Sequence, residues 1–98
     1  MKINIQAPWE VDQSLKALIH EKTNKLDTYF KGIIYTDVFL KMNEHDSPND
    51  KTVEIKVSVP GPYIFAESSS DTYEKALVEA TEKIRRQLIK KKEKLNDH

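Results

Sequence analysis

The chain contains no cysteine, which excludes a disulfide framework, a thiolate metal site and a thiol nucleophile. Glycine is nearly as scarce. Gly32 and Gly61 are the only two, too few for a loop that cradles phosphate with its backbone. No apolar run exceeds four residues, Tyr63 to Ala66, whereas a membrane-spanning helix needs roughly 20. The N-terminus, Met1-Lys-Ile-Asn-Ile, lacks the apolar segment of a signal peptide. These absences leave a soluble, cytoplasmic protein held together by packing. With 98 residues, 38% of them apolar and 33% charged, the chain suits one core and one domain, residues 1–98.

Hydrophobic periodicity supplies the elements. Met1, Ile3, Ile5 and Ala7 alternate with Lys2, Asn4 and Gln6, a strand with one buried face that Pro8 ends. Asp12 is placed to cap a helix in which Leu15, Leu18, Ile19, Leu26, Tyr29 and Phe30 share a face and Gly32 is the stop, about five turns in all. Alternation returns from Ile34, with Ile34, Val38, Leu40 and Met42 on one side and Tyr35, Asp37, Phe39 and Lys41 on the other. After a polar loop over Asn43 to Asp50, Val53, Ile55, Val57 and Val59 alternate without exception. Pro60-Gly-Pro62 turns the chain into a shorter return strand, Tyr63 to Ser68. Ser69, Ser70 and Asp71 then introduce the last helix, Asp71 to Leu95, where Asp71 and Glu74 have the spacing of a capping box and Tyr73, Leu77, Ala80, Ile84, Leu88 and Leu95 form the apolar stripe. The order is β-α-β-β-β-α, an α+β class. Both helices are expected on one face of a four-stranded sheet.

Charge is abundant but unevenly placed. The run Lys83-Ile-Arg-Arg-Gln-Leu-Ile-Lys-Lys-Lys-Glu-Lys94 has seven basic residues and one acidic, net +6, while the remainder has nine basic and fifteen acidic, net −6. A formal charge of zero thus conceals a polarised molecule suited to a polyanion. The helix macrodipole favours cations only within the last turn, so it accounts for Lys92 and Lys94 but not for Lys83, Arg85 or Arg86. An ordinary solvated face would carry acidic partners at i,i+4, and here they are nearly absent. On a helical wheel Lys83, Arg86, Lys90 and Lys94 lie along one edge and Arg85 and Lys92 on the opposite flank of the stripe. Lys91 falls on the apolar line itself, as Lys22 does in the first helix with Lys25 beside it, and each either snorkels past the core or extends the basic surface between the helices.

Other candidate sites are weaker. Tyr35, Phe39, Tyr63 and Phe65 point away from the helices, but without the glycine and aromatic signature of an RNA-recognition motif. Glu44-His45-Asp46 has no partner cluster for a metal. Ser68-Ser-Ser70 reads as a capping run, and nothing ties His20 or His45 to it as a base. The chain is therefore read as a binding protein and not an enzyme, with no cofactor, metal or small-molecule substrate.

The closing helix, with Asp71-Thr-Tyr, Ala76 and then Lys83 to Leu95, resembles that of the ribosome hibernation promoting factor family, also described as ribosome-associated inhibitors or ribosomal subunit interface proteins. There the pattern is D-M-Y followed by K-L-x-R-Q-L-x-K-x-K-x-K-L. The opening Ile3-Asn-Ile strand, the helix ending Lys25-Leu-Asp-Thr-Tyr-Phe30 and Ala66-Glu67 extend the resemblance over the whole chain. It implies a fold similar to a double-stranded-RNA-binding domain with an added first strand. It also implies a translation inhibitor that occupies the messenger and transfer RNA channel of the small ribosomal subunit, gripping ribosomal RNA phosphates. The basic positions carry over to Lys22, Lys25, Lys83, Arg86, Lys90, Lys92 and Lys94. Lys91, also a candidate contact, stands where the family often has histidine or an aromatic residue. The acidic segment Lys41 to Asp50 has no counterpart, and Phe65 replaces a frequent arginine. The end at His98 matches short members without a dimerisation domain, implying a monomer off the ribosome. Two other readings remain open: a duplex-RNA-binding module, and a protein-interaction domain using the exposed strand face.

Overall fold

The computed structural model describes residues 1–43 and 48–96. Strand β1 (Lys2–Gln6) leads to helix α1 (Gln13–Asn24), and strands β2 (Tyr35–Met42), β3 (Lys51–Ser58) and β4 (Ile64–Ser70) precede helix α2 (Tyr73–Asn96). The four strands form one sheet in the order β1-β2-β3-β4. β1 runs parallel to β2, and the other two pairings are antiparallel. A parallel pair cannot be joined by a tight turn, so the connection must cross the sheet, and α1 is that crossover.

Register separates the two faces. Thr36, Val38 and Leu40 stand opposite Val57, Ile55 and Val53, and these opposite Ile64, Ala66 and Ser68, all buried beneath the helices. Ile19 from α1 and Ala76, Leu77, Ala80, Ile84 and Leu88 from α2 are fully buried against them. Ile34 and Met42 keep the parity expected of the core face but are 58% and 55% exposed. They lie at the sheet's ends, where the helices no longer cover it. The other face carries Asp37, Phe39, Glu54, Lys56, Phe65 and Glu67, and Lys56 sits 4.5 Å over the Tyr63 ring.

Three local expectations need correction. The first helix does not stay α-helical to Gly32: after Asn24 it tightens into a 3-10 turn, Lys25–Thr28. Hydroxyls that bond back to the helix explain the change, since Thr23 donates to the Ile19 carbonyl at 2.7 Å and Thr28 to that of Lys25 at 2.7 Å. The serine run is not a cap but the end of β4, stitched to β3 by a 2.6 Å hydrogen bond between the Thr52 and Ser69 hydroxyls. Thr72 caps α2 instead, accepting from the Lys75 amide at 3.1 Å. Asp71 turns outward to pair with the Lys75 ammonium, which holds its carboxyl below the usual range. The Asp12 cap is as expected, accepting from the Leu15 amide at 2.8 Å.

Helix α2, with 24 residues, is about 36 Å long, and its last fully buried side chain is Leu88. Its final segment extends about 12 Å beyond that side chain, and Leu95 is 58% exposed. The molecule measures 49 Å along its longest axis against 25 and 18 Å. Among the described residues, no helix is long and apolar enough to cross a membrane. Glu44, His45 and Asp46, considered above for a metal, lie outside the described residues, as does most of the segment's distinctive acidity.

Candidate nucleic-acid interface

Helix α2 distributes its cations by simple rotation of 100° per residue about an axis fixed by the buried stripe Leu77, Ala80, Ile84 and Leu88. One flank faces α1. There Lys22, Lys25 and Tyr29 meet Thr81, Glu82 and Arg85 around an open groove of about 180 Å³. Arg85 stacks 5.7 Å above the Tyr29 ring, a cation–π contact that holds the guanidinium at the groove wall. Further along, Lys92 and Leu95 approach Thr28, Tyr29, Phe30 and Lys31 around a second groove.

The other flank faces β4. Lys90, Lys91 and Lys94 line a groove with Pro62, Tyr63 and Gln87. Lys91 is only partly exposed, with its ammonium 6.0 Å from the Phe30 ring centroid, and it would meet a side chain placed at Gly61. It covers the open end of the core with its stem while its charge reaches solvent. Lys83 reaches β4, donating to the Glu67 carbonyl at 2.8 Å. Arg86 projects from the crown between the flanks, with its side chain 67% exposed.

The candidate cations thus do not form a single cluster. Lys22 and Lys25 join α2 only through its α1-facing flank, and Lys90, Lys91 and Lys94 belong to the opposite one. Together with Arg86 they make a belt around the projecting helix. Two cations outside the original set sit in the α1-facing grooves, Arg85 and Lys31. Arg85 is visible on a helical wheel as a flank residue. Lys31 is not, because it follows the 3-10 turn and owes its place to the chain path.

Few acidic groups interrupt this belt. Among the described residues Glu82 is the one that touches it by ion pairing: its carboxylate takes the Arg85 guanidinium through Nε at 2.9 Å and through Nη2, and lies 3.7 Å from Arg86 Nε. The Arg85 hydrogen bond lowers the Glu82 carboxyl below its ordinary value, and the same bond raises Arg85. On the open sheet face charges are instead mixed, with Lys41 paired to Glu54 at 2.9 Å. Among the described residues no cluster of histidines and carboxylates is arranged to hold a metal.

The sequence from residue 3 to 96 matches the model of the family described as Sigma 54 modulation protein / S30EA ribosomal protein. The chain belongs to this family. Two solved structures share the fold of this S30EA-family protein. A ribosomal subunit interface protein from Coxiella burnetii aligns with a TM-score of 0.80 at 23% identity, over 94% of this chain and 98% of that one. The N-terminal domain of Thermus thermophilus Protein Y aligns with a TM-score of 0.73 at 20% identity, over 91% and 93%. No curated protein matches this chain significantly in sequence. The family expected from the closing helix is therefore shown, and so is the β-α-β-β-β-α architecture.

Proposed function

We propose that this chain is a ribosome-binding translation inhibitor, a hibernation factor that occupies the messenger and transfer RNA channel of the small ribosomal subunit. Residues 1–98 act as one ribosome-binding domain, a monomer in the cytoplasm when not on the ribosome. The observation that carries this reading is the belt of cations on a helix that outruns its core, in a member of a ribosomal protein family. Lys22, Lys25, Lys83, Arg86, Lys90, Lys91, Lys92 and Lys94 supply the grip on ribosomal RNA phosphates. Inhibition is steric: while the domain is seated, neither messenger nor transfer RNA enters. It requires no catalytic group and no cofactor.

Support also comes from geometry. A projecting helix with cations on both flanks can be inserted between phosphate backbones, whereas a flat basic patch meets only one. A ribosomal partner also fits the similarity in fold to a ribosomal subunit interface protein.

Co-sedimentation with purified small subunits tests the proposal. Five phosphate contacts, each contributing a log–log salt slope of about 0.7 to 0.9, cost roughly two to three orders of magnitude in affinity between 50 and 200 mM salt. The expected result is binding at low salt that is lost steeply as salt rises. Absence of co-migration at low salt would overturn the proposal. A variant with Arg86→Glu, Lys90→Glu and Lys92→Glu is expected to stay in the supernatant while unfolding at an unchanged temperature, since surface substitutions usually shift stability by no more than about 0.5 kcal/mol. A partner docking instead on the exposed Tyr63 and Phe65 of the sheet would still bind that variant.

A further inference from the structure

We propose that Glu82 is a built-in competitor for phosphate: it occupies the Arg85 fork in the α1–α2 groove and must be displaced when the RNA backbone enters. This inference rests on the ribosome-binding reading above and adds a site and a regulating residue to it. Position 85 falls at an unspecified place in the closing-helix pattern, so the resemblance assigns it no role.

The groove itself is the first observation. Lys22, Lys25 and Arg85 bring three cations to a space of about 180 Å³, several times the roughly 30 Å³ that one water occupies in the liquid. The Tyr29 ring lies against the guanidinium, its centroid 5.7 Å from Arg85 Cζ. This is a recess with donors on both helices, wide enough for a tetrahedral anion.

The second observation is how Glu82 is bound. It uses two oxygens against Arg85 Nε and Nη2, the side-on fork by which arginine also takes phosphate. The same carboxylate reaches Arg86 at 3.7 Å, so one acidic residue engages both arginines of α2. A phosphate cannot take the Arg85 fork while Glu82 holds it. The exchange is nevertheless easy, because the side chains of Glu82 and Arg85 are 41% and 34% exposed and neither end of the pair is locked in the core. Hydration of the released carboxylate offsets the loss of its partner.

Such a device sets affinity and specificity together. An isolated phosphate or a weakly charged surface gains too little to displace Glu82. A dense array of phosphates, held at once by Lys22, Lys25 and the belt beyond, can do so. Glu82 acts through Arg85 and is a positioning residue, not itself an RNA contact.

The test compares wild type, Glu82→Gln, Arg85→Ala and the double variant by co-sedimentation with purified small subunits across a salt series. Removing the competitor should raise affinity roughly two- to fivefold, the range set by exposed ion pairs. The log–log salt slope should also steepen, by up to about one phosphate contact. In the Arg85→Ala background the Glu82→Gln gain should shrink to what the longer 3.7 Å contact with Arg86 leaves. Glu79→Gln, which removes a carboxylate from the same helix without touching an arginine pair, serves as the control for net charge. Equal gains from Glu79→Gln and Glu82→Gln, or a gain that survives Arg85→Ala undiminished, overturn the inference. So does wild-type binding that Glu82→Gln leaves unchanged, and in that case the ribosome-binding reading stands. Wild type that fails to co-sediment at low salt overturns both.

Discussion

Among the buried hydroxyls, one stands apart from the rest. Thr23 and Thr81 donate to the carbonyls one helical turn back, Ile19 at 2.7 Å and Leu77 at 2.9 Å, so their burial is compensated. Ser68 lies on the core face of β4 opposite Val53, and its hydroxyl is the buried side-chain polar atom among the described residues with no hydrogen-bond partner. An unsatisfied buried hydroxyl costs about 1 to 3 kcal/mol, and removing it cancels that cost without opening a cavity of any size. Ser68→Ala is therefore expected to stabilise the fold by roughly 1 kcal/mol, a rise of about 4 to 8 °C in melting temperature for a domain of this length. A lower melting temperature in thermal unfolding would show that the hydroxyl contributes to the fold. The sequence places Ser68 next to two other serines, and composition alone suggests a cap. The local pattern already ends the return strand at Ser68; its continuation through Ser69 and Ser70 comes from pairing with β3, a long-range effect that no local pattern reports.

Strand β4 ends the sheet, and an uncovered edge is a template for further pairing. Helix α2 covers it with side chains: Lys83 donates to the Glu67 carbonyl at 2.8 Å and Gln87 to that of Phe65 at 2.9 Å. Lys83 thus has a structural task beside any RNA contact. The double variant Lys83→Ala with Gln87→Ala is expected to aggregate faster on mild heating, read by light scattering, with little change in unfolding temperature. Unchanged scattering would mean that this cover is dispensable. Elements of this kind were legible to different degrees. The strands could be read because alternation at Val53, Ile55, Val57 and Val59 directly reflects a one-sided sheet. The stripe of α2 could be read because Leu77, Ile84 and Leu88 recur at helical spacing, and its cations followed from the same wheel. Hidden from the sequence were the 3-10 ending of the first helix, set by hydroxyl back-bonding, and the separation of the cations into grooves, set by where α1 and β4 lie beside α2. The Glu82 and Arg85 pair is visible as an i,i+3 spacing, but its place over Tyr29 depends on helix packing.

At the scale of the whole molecule, segregation of charge matters more than its sum. The sequence isoelectric point is about 6.8, and at neutral pH the formal net charge is zero. A protein with its charges evenly mixed would then pass both cation- and anion-exchange resins. Here the net +6 run sits on the helix that projects past the core, while the acidic remainder is spread over the helices, sheet and loops. At 0.1 M salt the Debye length is about 10 Å, so the cations gathered along the end of α2 act together on a surface while acidic groups farther away over the body are screened from it. The protein is therefore expected to be retained on a cation exchanger at pH 7 and to elute only above about 0.1 M salt. Net charge and pole can be separated by two variants of equal formal charge, −4. Lys90→Glu with Lys92→Glu dismantles the pole and should flow through. Lys2→Glu with Lys16→Glu changes the body and leaves the pole, so it should still be held. Co-elution of the two variants would show that the resin senses the sum of charges, and the proposed grip on RNA would lose its electrostatic basis. Retention of the second alone would tie the long reach of α2 to capture of a polyanion, because only the projecting cations would then explain why a neutral chain binds a charged surface.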